Sequence, residues 1–133
     1  MIGNSAVNGG AIHLKNKTKA DLSNVKLSKN SATGSDKTGL GGAIFAETRD
    51  NLTIRDVEIA ANSAMHGGGI CVAGFDDNNS YPFFYTNIYN ADIHNNTARG
   101  NGGGIYLNGN YMSNQFTNMY NCSAHDNSAE WNG

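Results

Sequence analysis

Four side chains are placed where they could act on a substrate: Glu58 and Asp92 fall at one phase of a repeating sequence pattern, and His94 and His125 fall two residues later at another. Stacked copies of such a repeat bring equivalent positions to about 5 Å. At that spacing, paired carboxylates flanked by imidazoles could perform acid-base cleavage of a glycan. The same column continues as Lys26 and Ser123, however, and an outward wall must be polar in any case, so a solvated face is the expected reading. The loop Asp76-Asp77-Asn78-Asn79 carries oxygen ligands without the alternating spacing of a calcium loop, and an ordinary polar turn is expected there. Cys71 and Cys122 have no zinc-site spacing and fall in columns pointing to opposite sides of the wall, which argues against a disulfide. Neither a metal nor a cofactor is expected.

Aromatic residues give the binding candidates. Phe45 and Tyr106 share one outward column with Cys71 between them, and Tyr89 and Tyr120 are consecutive in another. Exposed rings of this kind stack on sugars or anchor protein partners. A regular flat threonine array, as ice binding would require, does not occur.

The phases that align these residues come from two short phrases. Gly-Gly-Ala/Gly-Ile occurs at Gly9, Gly41, Gly67 and Gly102, and Asn-Ser/Thr-Ala at Asn4, Asn30, Asn62, Asn96 and Asn127. A period of about 26 to 35 residues with turn residues at fixed phase is the signature of a solenoid. Aligned on the Asn, three columns are apolar: Leu22, Ile54, Ile88 and Met119; Val25, Val57, Ala91 and Cys122; Leu27, Ile59, Ile93 and Ala124. Polar residues alternate with them, which is the period of a half-buried strand. The Gly-Gly phrase opens another strand, with Ile12, Ile44, Ile70 and Ile105 facing one way and His13, Phe45, Cys71 and Tyr106 the other.

Two Asn/Asp columns mark the bends: Asn24, Asp56, Asn90 and Asn121, and then Asn30, Asn62, Asn96 and Asn127. Asn and Asp tolerate left-handed backbone, and amides stacked at the strand spacing can hydrogen-bond from coil to coil. The expected fold is therefore all-β: a right-handed parallel β-helix of about four coils with three short strands each, roughly 20 Å tall. Residues 1–133 read as a single segment. Both ends fall at the same phase of the repeat without capping pattern, which predicts flanking coils of a longer parent or end-to-end self-association into a filament.

A net charge of -2 with dispersed Lys and Arg argues against nucleic acid as a partner. No apolar run is long enough to insert in a membrane, and Met1-Ile2-Gly3 leads directly into the repeat without a signal-peptide pattern.

The coupling of Asn-Ser/Thr-Ala to Gly-Gly-Ala-Ile resembles the repeats of the chlamydial polymorphic outer-membrane proteins, which carry GGAI and FxxN motifs. Gly9-Gly10-Ala11-Ile12 and Gly41-Gly42-Ala43-Ile44 match the first motif in full, whereas Leu27, Ile59, Ile93 and Ala124 stand where that family has Phe. The resemblance implies an extracellular or cell-surface β-helix with a structural or adhesive role and no enzymatic activity, contacting a host or cell-surface protein or a glycan. The competing expectation is a fragment of a polysaccharide lyase or glycoside hydrolase of β-helix fold, which rests on fold analogy alone.

Overall fold

The computed structural model describes residues 1–15, 18–35, 37–47, 51–73, 84–108 and 115–132. The candidate calcium loop Asp76–Asn79 lies outside them. In chain order, β1 (Ser5–Ala6), β2 (Ile12–Leu14), β3 (Lys19–Ser23) and β4 (Lys26–Ser28) form the first circuit. The second comprises β5 (Ser31–Ala32), β6 (Ile44–Glu47) and β7 (Asn51–Ala60). The third comprises β8 (Ser63–Ala64), β9 (Ile70–Ala73) and β10 (Phe84–His94). The fourth comprises β11 (Thr97–Ala98), β12 (Ile105–Asn108), β13 (Gln115–Tyr120) and β14 (Ser123–His125), and β15 (Ser128–Ala129) follows it.

Each circuit thus contributes one strand position to each of three walls, and every strand pairing between circuits is parallel. The short strands stack as β1-β5-β8-β11-β15, the strands after the Gly-Gly phrase as β2-β6-β9-β12, and the long strands as β3-β7-β10-β13, with β4 pairing β7 and β14 pairing β10. Register follows the aligned columns without slippage: Ile54 lies opposite Leu22 and Ile88, Ile59 opposite Leu27 and Ile93, and Ile44 opposite Ile12 and Ile70. The fold is a parallel β-helix.

The columns that are apolar in sequence form the interior. Leu27, Ile59 and Ile93 are fully buried, as are Ile54 and Ile88 further along the same wall and Ile44 and Ile70 from the wall after the Gly-Gly phrase. Complete burial of each such side chain is worth about 1.5–3 kcal/mol. The Gly-Gly phrase is what lets coils approach. Gly41 has φ +67, in the left-handed region that disfavours other residues, and a Cβ on Gly42 would stand 2.0 Å from the Gly68 carbonyl oxygen of the next coil.

The bends need one correction. Asn24, Asp56, Asn90 and Asn121 do take positive φ, between 50 and 54, and kink the long strand as expected. At the other corner the left-handed residue is not the aligned Asn but its predecessor: Lys29, Ala61, Asn95 and Asp126 have φ of 54 to 57. This turns Asn30, Asn62, Asn96 and Asn127 inward instead of leaving them at the turn.

Candidate functional site

Inside that corner the amides form a continuous ladder. Nδ2 of Asn4, Asn30, Asn62 and Asn96 each donates to Oδ1 of the Asn one coil further on, always at 2.9 Å. The same Oδ1 also accepts the backbone N–H of the preceding coil's Asn at 2.9–3.0 Å. The second Nδ2 proton goes to a strand carbonyl: Asn62 to Leu27, Asn96 to Ile59, Asn127 to Ile93. Asn62 and Asn96 therefore satisfy every side-chain donor and acceptor at 1% and 0% exposure, the condition under which a buried polar group stabilises rather than costs. The outer column repeats the device in solvent, with Asn90 donating to Asp56 and Asn121 to Asn90 at 2.9 Å.

The aromatic candidates separate into two places. Tyr89 and Tyr120 stack with centroids 5.2 Å apart and planes 9° from parallel, and the Arg55 guanidinium covers the other face of Tyr89 at 5.2 Å. Both faces of the Tyr89 ring are thus engaged within the wall, while Tyr120 is 55% exposed. Tyr85 and Phe116 form a stacked pair four residues earlier along the same strands, with the Asn118-to-Asn87 amide bond between the pairs. Phe45 does not present a ring to solvent as its column predicts. It is 2% exposed in a second apolar cluster with Leu40, Cys71 and Ala73, against which Tyr106 packs. Leu40, from the chain between β5 and β6, and the small neighbours Cys71 and Ala73 let this outer face exclude water. Cys71 is a free thiol whose titration burial pushes up to about 12, so it is unreactive at neutral pH. Cys122 is also free.

The charged candidates are brought together on the outer face of the long wall. Lys26 Nζ lies 2.6 Å from Glu58 Oε1, His94 Nε2 is 3.5 Å from the same oxygen, and His125 Nε2 is 3.1 Å from Asp92 Oδ1. The hydrogen bond that Lys26 donates holds the Glu58 carboxyl below its ordinary range, and the one that His125 Nδ1 donates to Asp126 raises His125 above its own. Lys26 thus favours the ionised form of Glu58, whereas a glycan-cleaving acid needs its carboxyl kept protonated. Among the described residues no group of three or more His, Cys, Asp or Glu is arranged to hold a metal ion.

Two contributors went unnoticed in the sequence. The residue before the first glycine forms its own acceptor column, Asn8 Oδ1 taking the Leu40 N–H and His66 Nδ1 the Asn101 N–H, each at 3.0 Å. Its signal was present as Asn8, His66, Asn101 and Asn132 at one phase. Arg55, capping the tyrosine stack, had no such signal.

A parallel β-helix whose walls are built of side-chain ladders is the class that fold and geometry define. Residues 24–47 and 90–108 match the family model of the Chlamydia polymorphic membrane protein repeat, and the chain carries repeats of that type. Both matched stretches run from the outer bend through the Asn corner and the Gly-Gly phrase into the following strand. The family comprises outer-membrane and surface proteins and is not an enzyme family, which supports a surface location for this chain. No curated protein and no solved structure gives a significant match.

Proposed function

We propose that the chain is a structural and adhesive β-helix segment of a cell-surface or secreted protein, with no chemistry of its own. The observation that carries this reading is how wall side chains are used. Tyr89 with Tyr120, Tyr85 with Phe116, Asn87 with Asn118 and Asn90 with Asn121 each pair with their own equivalent in the next coil. Rings and amides committed to like neighbours along an axis build a rigid face and supply no acid or base for catalysis. The match of residues 24–47 and 90–108 to a polymorphic membrane protein repeat supports this reading.

The partner is a cell-surface protein or a glycan, and the face offered to it is the outer side of β10 and β13, where Tyr85, Phe116 and Tyr120 are 43%, 46% and 55% exposed. Purified chain immobilised on beads should retain cells or glycans, and Phe116→Ala with Tyr120→Ala should weaken retention several-fold. The same preparation incubated with pectin, alginate and related polymers should release no reducing or unsaturated ends. Turnover that disappears in Asp92→Asn or Glu58→Gln would replace this reading with an enzymatic one.

A further inference from the structure

The scaffold reading leaves the histidine pair unused. His94 and His125 are direct neighbours across β10 and β14, so the coil spacing forces their rings face to face, 5.1 Å between centroids and 5° from parallel. Two imidazolium rings held that close repel unless anions lie against them. Three do. Glu58 Oε1 from β7 is 3.5 Å from His94 Nε2, Asp92 lies 3.9 Å from His94 Nε2 through Oδ2 and 3.1 Å from His125 Nε2 through Oδ1, and Asp126 Oδ2 is 2.8 Å from His125 Nδ1. The other polar neighbours are Lys26 Nζ on Glu58 at 2.6 Å and the Asn95 amide nitrogen, 2.7 Å from His94 Nδ1, where the amide must turn its oxygen to the ring once that nitrogen is protonated.

With neutral imidazoles, three carboxylates face one lysine; with both rings protonated, the charges balance. We propose that Glu58, Asp92, His94, His125 and Asp126 form an acid-tightened clasp across three consecutive coils, closed in mildly acidic surroundings and loosened as the pH rises past neutrality. The direction follows from linkage. His125 is raised by its hydrogen bond to Asp126 and then by the charge of Asp92, so its contribution is complete below the ordinary histidine value of about 6.5 and is lost as the pH climbs through the elevated one. Glu58 is lowered, chiefly by Lys26, so it stays ionised in mild acid and remains a partner for His94 until the pH falls below the ordinary carboxyl range. The groups stand at the surface, where ion pairs are weak individually. The clasp therefore governs local opening of these strands rather than global unfolding.

Side-chain NMR titration of the full chain, combined with amide hydrogen exchange at Asp92–His94 and Ser123–His125, tests the proposal. Protection factors corrected for intrinsic exchange should be several-fold higher at pH 5.5 than at pH 8, and His125 should titrate above the ordinary value. Asp126→Asn should lower that midpoint, and the His94→Gln/His125→Gln double variant, which keeps polar stacked side chains, should abolish the pH dependence of protection. A wild-type chain with equal protection at both pH values, or a double variant retaining the difference, would overturn it.

Discussion

Replacing Asn62 with Ala removes the most heavily bonded side chain of the inner corner. Four hydrogen bonds disappear: Nδ2 to Asn96 Oδ1 at 2.9 Å, Nδ2 to the Leu27 carbonyl at 3.0 Å, and those that Oδ1 accepts from Asn30 Nδ2 and N–H, both at 2.9 Å. Not all of the partners are stranded. Asn30 Nδ2 still reaches the Met1 carbonyl, and Asn96 Oδ1 still accepts the Asn62 N–H, but the Asn30 N–H is left buried with no acceptor. Counting about 0.5–1 kcal/mol net for each of the three bonds to Asn96 Oδ1, the Leu27 carbonyl and Asn30 Nδ2, and about 1–3 kcal/mol for the orphaned N–H, gives a loss of about 4 kcal/mol. For a chain of this length that corresponds to a fall in Tm of roughly 12 °C. The control is Asn121→Ala, which removes a single exposed amide bond to Asn90 and places Ala at φ 50, and should cost only about 1–2 kcal/mol. Urea denaturation followed by circular dichroism, with m unchanged between variants, measures both. Equal midpoints for Asn62→Ala and Asn121→Ala would refute the assignment of the ladder as a principal source of stability.

Other perturbations test the corners and the wall. Gly42→Ala places a Cβ 2.0 Å from the Gly68 carbonyl oxygen and should cost about 3 kcal/mol or more by forcing two coils apart, whereas Gly3→Ala, with nothing within 4 Å, should cost only the strain of its positive φ, about 1–2 kcal/mol; comparative urea midpoints decide. Ala61→Gly should stabilise by about 0.5 kcal/mol, because relief of the left-handed strain at φ 55 exceeds the added entropy of the unfolded chain, and an unchanged or lower midpoint would count against the strain argument. Lys26→Met should move the carbon-detected titration of Glu58 upward, since Lys26 is the main cause of its lowered value. The stability that Glu58 contributes above the ordinary carboxyl range, and loses as the pH falls through its lowered value, should then begin to fade at higher pH.

How much could be read in advance depended on whether a feature repeats. The core was legible because alignment on the Asn converts contacts between distant residues into columns, so Leu27, Ile59 and Ile93 could be stacked before any coordinates existed. The amide ladder was legible for the same reason. The turn geometry at that corner was not, because the left-handed residues Lys29 and Ala61 have no preference for that conformation; they are held there by the inward amide that follows them. By its column Phe45 reads as an outward ring and Cys71 as an exposed or loop-covered thiol; both are buried with Leu40 on the outer face of β6 and β9, and such a contact is specific to its own coil. His94 and His125 could be assigned to one column, but the reach of Asp126 to His125 Nδ1 is a matter of rotamers, which spacing does not encode.

Display of this chain at the cell surface is tested directly by antibody labelling of intact cells. An antibody raised against the folded chain, applied to cells producing the protein before and after permeabilisation, should give its full signal on intact cells. The signal should be lost when those intact cells are first treated with an external protease. Labelling that appears only after permeabilisation would contradict the surface-scaffold reading.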